Sequence, residues 1–167
     1  LTGDQQKSNL NAKPNFSTYK LDLSRQQYFG NDGVILEFNA SGQIASTSLP
    51  TPEKFSFGGP DYGRGFANSH IFGDAGWSSS IQLSKNMYSK NGKTINPFVW
   101  LDYGQTDDLT GDSREKTAST YGIGLGGNFN RDTTYEVSFA VPGLDDSNPT
   151  KTGLDHSILK FNLGVRF

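Results

Sequence analysis

The chain has 167 residues, 33 % of them apolar and 19 % charged, with 20 glycines and no cysteine. Its 15 basic and 17 acidic residues leave a net charge of −2, so no nucleic acid partner is expected. The absence of cysteine excludes a disulfide scaffold and a zinc ribbon. A mean hydropathy of −0.58 and the lack of any long apolar run exclude a transmembrane helix. They do not exclude a transmembrane barrel, whose signal is alternation and is weak in each segment. The chain starts on Leu1 with no leader-like segment and is expected to be a piece of a longer protein.

Residues 1–16 read as a polar loop. Segments of period two then follow at 17–28, 33–46, 77–88, 94–106, 117–129, 133–142 and 157–167. Turn residues punctuate the gaps: Gly30-Asn31-Asp32-Gly33, Asn91-Gly92 and Asn130-Arg131-Asp132. In 33–46, Val34, Leu36, Phe38, Ala40 and Ile44 oppose Glu37, Asn39, Ser41 and Gln43. In 94–106, Ile95, Val99, Leu101 and Tyr103 oppose Asn96, Trp100, Asp102 and Gly104. In 117–129, Tyr121, Ile123, Leu125 and Phe129 oppose Thr120, Gly122, Gly124 and Gly126. In 133–142, Tyr135, Val137, Phe139 and Val141 oppose Thr134, Glu136, Ser138 and Ala140. In 157–167, Leu159, Phe161, Leu163, Val165 and Phe167 oppose Lys160, Asn162, Gly164 and Arg166. A slip of one residue would invert every face, so these registers are strongly specified.

A soluble sandwich and a membrane barrel both produce such alternation. The segments are longer than the ~5–6 residues of ordinary strands and reach the ~9–11 needed to cross a bilayer. Tyr121 and Phe129 flank Ile123 and Leu125 on one face, as interfacial aromatics do. The expected fold is therefore all-β, and the pattern favours an antiparallel transmembrane β-barrel in the lipid bilayer over a sandwich.

Little in the chain suggests catalysis, and it is not expected to be an enzyme or to need a cofactor or metal. Gly122-Ile123-Gly124-Leu125-Gly126-Gly127 superficially resembles a dinucleotide fingerprint, but a bare face inside a strand is the better reading. His70 and His156 read as surface histidines without metal-ligand spacing. Asp107-Asp108, Asp112, Glu115 and Asp145-Asp146 read as solvated acidic turns, out of order for a calcium loop.

The long connection 47–76 is different, because a loop of that length in a compact domain is usually functional. It contains Phe55-Ser56-Phe57-Gly58-Gly59-Pro60, then Gly63-Arg64-Gly65-Phe66, and leads into Gly73-Asp74-Ala75-Gly76-Trp77. Glycine lets a backbone turn at positive φ and approach other groups closely. Arg64 between two glycines reads as a cation presented on a thin hairpin towards a carboxylate.

These motifs resemble the signature of the two-partner-secretion transporters (the TpsB type, exporters of haemolysins and filamentous haemagglutinins) within the BamA-like outer-membrane barrel superfamily. The resemblance covers residues from about 14 to 167 as the C-terminal part of the barrel. Arg64, Gly65 and Phe66 match the family's Val-Arg-Gly-Tyr/Phe pattern, with Gly63 in place of valine. Trp100-Leu101-Asp102 matches its Phe-x-Asp, with Trp for Phe, and Gln82 stands where a glutamate is usual. Phe161, Leu163 and Phe167 resemble the C-terminal signal read by the barrel-assembly machinery.

The resemblance implies an outer-membrane pore of a Gram-negative-type bacterium that passes an unfolded, TpsA-like secreted partner exoprotein, without nucleotide. The loop carrying Gly58, Gly59, Gly63, Arg64, Gly65 and Phe66 would fold back into the lumen. Arg64 would meet Asp102, beside Trp100 and Gln82, and the stripe Gly122, Gly124, Gly126 would give the loop tip room. The chain would supply seven or eight strands of a barrel of about sixteen, with no POTRA domain. A protein-assembly or insertion factor of the same superfamily, and a small non-exporting structural barrel, are the alternative readings.

Overall fold

The computed structural model describes residues 15–30, 33–109, 115–150 and 152–166. Each alternating segment forms a long strand: β1 (Thr18–Phe29), β2 (Val34–Ala45), β5 (Ala75–Lys85), β7 (Lys93–Asp107), β8 (Lys116–Asn128), β9 (Thr133–Asp145) and β10 (Ile158–Val165). Short strands β3 (Phe55–Phe57), β4 (Ile71–Gly73) and β6 (Tyr88–Lys90) complete the set. The main sheet runs β1-β2-β5-β7-β8-β9-β10, every pairing antiparallel, with β6 folded onto β7. β3 and β4 form a separate two-stranded sheet. The main sheet is open, with β1 and β10 as its edges.

Three boundaries differ from the sequence reading, each for a local reason. The segment 77–88 starts earlier, at Ala75, and stops at Lys85. The chain then kinks, with Asn86 N–H donating to the Gly33 carbonyl and Met87 N–H to that of Ile95. β6 and β7 next close a hairpin around Asn91-Gly92, both at positive φ (55° and 74°), as a two-residue hairpin turn demands. The segment 133–142 continues to Asp145. Its register against β8 shifts between Ala118 and Thr120, beside Pro142, which has no N–H for the ladder. The connection 47–76 is also more ordered than a loop, since it holds the β3–β4 hairpin. The polar-loop reading of 1–16 falls almost wholly outside the described residues, as do Asn31-Asp32 and Asp112.

The two faces of the sheet have opposite characters. On the outer face, Leu83, Val99, Leu101, Ile123, Leu159, Phe161 and Leu163 are exposed, Ile123 by 61 % and Phe161 by 64 %. Among the described residues no second layer covers this face, so it lacks the core of a soluble sandwich. Paired aromatics mark its two ends: Trp77 with Tyr103 at 5.2 Å, and Phe129 with Tyr135 at 4.4 Å. No described helix is long and apolar enough to cross a membrane. The inner face carries the burial. Trp100, Asp102, Thr120 and Ala140 lie there, and the long loop packs over it with Phe57, Phe66 and Ile71 around Ala118.

Candidate functional site

The loop leaves β2, forms one 3-10 turn at Thr51–Glu53, runs out along β3 and returns along β4 into β5. Between β3 and β4 the chain doubles back on itself. Gly58 N–H donates to the Tyr62 carbonyl, and Phe66 N–H to that of Gly63. Gly63 sits at φ 80°, and a Cβ there would lie 2.8 Å from Gly58 N and the Phe57 ring. The turn therefore requires glycine on two counts, conformation and space.

That turn delivers Arg64 to Asp102, at the centre of β7. Asp102 is wholly buried and accepts four hydrogen bonds. Its Oδ2 takes the backbone N–H of Gly63 (3.1 Å) and of Arg64 (3.0 Å) and the Arg64 Nε–H (3.1 Å), while its Oδ1 takes Arg64 Nη2–H at 2.9 Å. Arg64 Nη2 also donates to Ser80 Oγ at 3.0 Å and Nη1 to Gln82 Oε1 at 2.6 Å. The Trp100 ring lies under the guanidinium at 4.5 Å, a cation–π contact. The structure thus brings Arg64, Gln82, Trp100 and Asp102 together. A planar fork that binds a carboxylate through two parallel donors while stacking on an aromatic face is arginine chemistry that lysine cannot copy.

Register explains the assembly. Ser80, Asp102 and Thr120 are direct neighbours across β5, β7 and β8, and Gln82 is opposite Trp100. Gly65 N–H reaches Thr120 Oγ1 at 3.3 Å. The glycine stripe plays a different part from the one expected. A Cβ on Gly122 would lie 2.4 Å from the Trp100 ring, and one on Gly124 2.3 Å from that of Phe98. Gly122 and Gly124 thus receive rings from β7, and the loop tip rests on Thr120. Gly126 meets nothing of the loop either. Gly59 stands further back in the loop, where an added Cβ would lie 3.0 Å from Asn68 Oδ1.

A second cluster holds the base of the loop. Asp74, wholly buried, accepts the N–H groups of Leu49 and Leu109, each at 2.8 Å, and pairs with Lys54 at 3.3 Å. Lys54 also binds Asp108, which reaches Lys116 at 3.5 Å, and the Phe72 ring lies beneath both lysine ammoniums. Burial alone would raise the Asp74 pKa, but the two backbone donors and Lys54 outweigh it and hold the carboxyl below its usual range. Burial opposes the charge on Lys54 in the same way, and Asp108 and Asp74 outweigh it, leaving its pKa raised.

Two readings of the sequence are corrected here. His70 is not a plain surface histidine. Its ring stacks on Phe66 (centroids 4.2 Å, planes 4° apart) and its Nε2 lies 2.9 Å from Asp145 Oδ2. Asp145 and Asp108 are not solvated turn residues. Asp145 is 3 % exposed and also accepts the N–H groups of Ser147 and Asn148. His156 and Asp146 are exposed, as read. Sequence reasoning missed Ser80, Thr120, Lys54 and Asp74. Only Asp74, within the Gly-Asp-x-Gly-Trp motif, carried a signal that could have marked it.

At the C-terminal end, Phe161 and Leu163 are exposed on the outer face of β10, while Phe167 lies outside the described residues. Among the described residues no group of acidic and histidine side chains could hold a metal ion.

Comparison with known proteins gave one family. Residues 1–129 match the haemolysin secretion/activation proteins described as ShlB/FhaC/HecB. That stretch includes Arg64, Gln82 and Asp102 and ends just after β8. No curated protein and no solved structure matches the chain.

Proposed function

The chain belongs to the ShlB/FhaC/HecB family of haemolysin secretion/activation proteins, transporters of the two-partner-secretion type in the outer membrane, and on that premise we propose that its sheet is the C-terminal part of a pore through which an unfolded secreted partner protein passes. The outer face meets lipid and the inner face lines the lumen. Further strands of the same protein complete the wall between β1 and β10. The loop at 47–76 occupies the lumen, with its Arg-Gly-Phe tip docked on the wall. The outward Phe161 and Leu163, with Phe167, serve as the signal for the barrel-assembly machinery.

The observation that carries this reading is the set of bonds around Arg64. A cation with 18 % of its side chain exposed, bonded to both oxygens of a buried carboxylate, is no solvent decoration. Breaking a buried pair by removing one partner costs about 3–5 kcal/mol, which makes this bond strong enough to hold a loop in place. The test is Arg64→Ala in the intact transporter, followed by export of the partner and by protease cleavage of the loop. The expected outcome is a fall in export and faster cleavage between Phe57 and Ile71. Unchanged export with an equally protected loop would sink the reading. Arg64→Lys is expected to restore only part of the function, since an ammonium cannot engage both oxygens of Asp102 and the Trp100 face at once.

A further inference from the structure

Arg64 donates its shortest hydrogen bond to a neutral partner. Nη1 reaches Gln82 Oε1 at 2.6 Å, closer than either contact with Asp102. The guanidinium can only donate, so the amide must present its oxygen to Arg64 and its nitrogen elsewhere. Gln82 Nε2 donates to Glu37 Oε2 at 3.3 Å, and Glu37 stands directly opposite Gln82 in the register of β2 against β5. An amide that donates to a carboxylate is polarised so that its oxygen becomes a better acceptor. The second Glu37 oxygen, Oε1, accepts from Gln26 Nε2 at 2.8 Å, and Gln26 Oε1 accepts from the Tyr28 hydroxyl at 2.9 Å. The row Tyr28, Gln26, Glu37, Gln82, Arg64 thus runs from β1 across β2 and β5 to the loop tip.

We infer that Glu37 is a positioning residue for the loop. Its carboxylate fixes the Gln82 amide with the oxygen towards Arg64 and polarises that oxygen towards the guanidinium. The inference deepens the proposed locking role of Arg64 and rests on it. It assigns the second anionic partner of the tip to β2, one strand beyond the residue that Arg64 touches.

The test uses the intact transporter with a cysteine at Ala118, which is wholly buried beneath Phe57, Phe66 and Ile71. A thiol-reactive probe labels it only when the loop lifts. A second version carries the cysteine at Thr106, 1 % exposed on the same inner face, next to the base of the loop. Glu37→Gln is expected to speed labelling at position 118 by about three- to tenfold, the worth of one hydrogen bond, and to leave position 106 unchanged. Adding Gln82→Glu to Glu37→Gln puts the carboxylate directly beside Arg64 and is expected to restore slow labelling. Three outcomes overturn the proposal: no change at 118 in Glu37→Gln, an equal rise at 118 and 106, or no rescue by Gln82→Glu. Arg64→Ala in the same background separates the two levels. If it fails to speed labelling at 118, the locking role itself falls. If it speeds labelling while Glu37→Gln does not, only the role of Glu37 falls.

Discussion

The loop is held at two places by opposite strategies. At the tip, one arginine converges on one buried carboxylate, and its other donors go to neutral side chains. At the base, two lysines and two aspartates alternate around the Phe72 ring, and the buried Asp74 is satisfied mainly by backbone N–H groups. Removing Arg64 or Asp102 strands a charge. Removing Lys54 leaves Asp74 with two donors and Asp108 with Lys116. A tip whose only direct ion pair is Arg64 with Asp102 suits a bond that is all or nothing, while a base with shared partners suits a hinge that stays put.

Asp102→Asn is the sharpest way to probe the difference. It removes the negative charge and turns one of the two accepting oxygens into a donor while keeping the shape, and the expected cost to loop closure is about 3–5 kcal/mol. Labelling of a cysteine at position 118 should accelerate a hundredfold or more, since each ~1.4 kcal/mol is tenfold. Position 106 should respond much less, and equal acceleration at both would mean that tip and base form one cooperative unit. Lys54→Met comes next, at about 1–2 kcal/mol, read at position 106 with little change at 118. Combined with Asp102→Asn, its effect on closure should add within about 0.5 kcal/mol if the two anchors are independent.

The smallest effect is that of pH on the base. Asp74 titrates below its ordinary 3.8 in the docked loop, so its contribution is complete above that value and is lost as pH falls through its lowered pKa. Lys54 is raised above 10.5, so its contribution is complete below that value and is lost as pH rises through its raised pKa. Labelling at position 106, divided at each pH by that of a freely exposed cysteine to remove the thiol's own titration, should therefore be flat between about pH 5 and 9 and rise only outside that window (about one unit inside each ordinary pKa). A rise within it would put another group in charge of the base.

Most of the sheet was legible in the sequence because its signal is local. Period-two alternation in 33–46 or 117–129 needs nothing beyond the segment itself, and Asn91-Gly92 names its own turn. The pairing of Arg64 with Asp102 was implied by the resemblance to the transporter family, and alternation by itself placed only Asp102 on the polar face with Trp100. The rest depends on who meets whom across strands. Thr120 looks like any polar strand residue until register sets it beside Asp102. Gly122 and Gly124 announced a bare face but not its occupant, because the rings of Trp100 and Phe98 lean over from the neighbouring strand. His70 and Asp145 lie 75 positions apart, and only the fold of the loop over β8 and the register shift near Pro142 bring them to 2.9 Å. The extension of β9 past Pro142 was missed because proline usually ends a ladder rather than shifting it.

The loop springs from β2 and returns on β5, which are paired neighbours whose last rung joins Gln43 to Gly76. Its two legs therefore leave the wall side by side, like the cords of a drawstring. Swinging the whole loop aside would break its own anchors but no rung of the sheet, and no strand would need to be rethreaded. In the proposed pore, a polypeptide moving past would meet an obstacle whose two legs share one root on the wall, so the passage could clear while the hydrogen-bonded frame around it kept every partner it had.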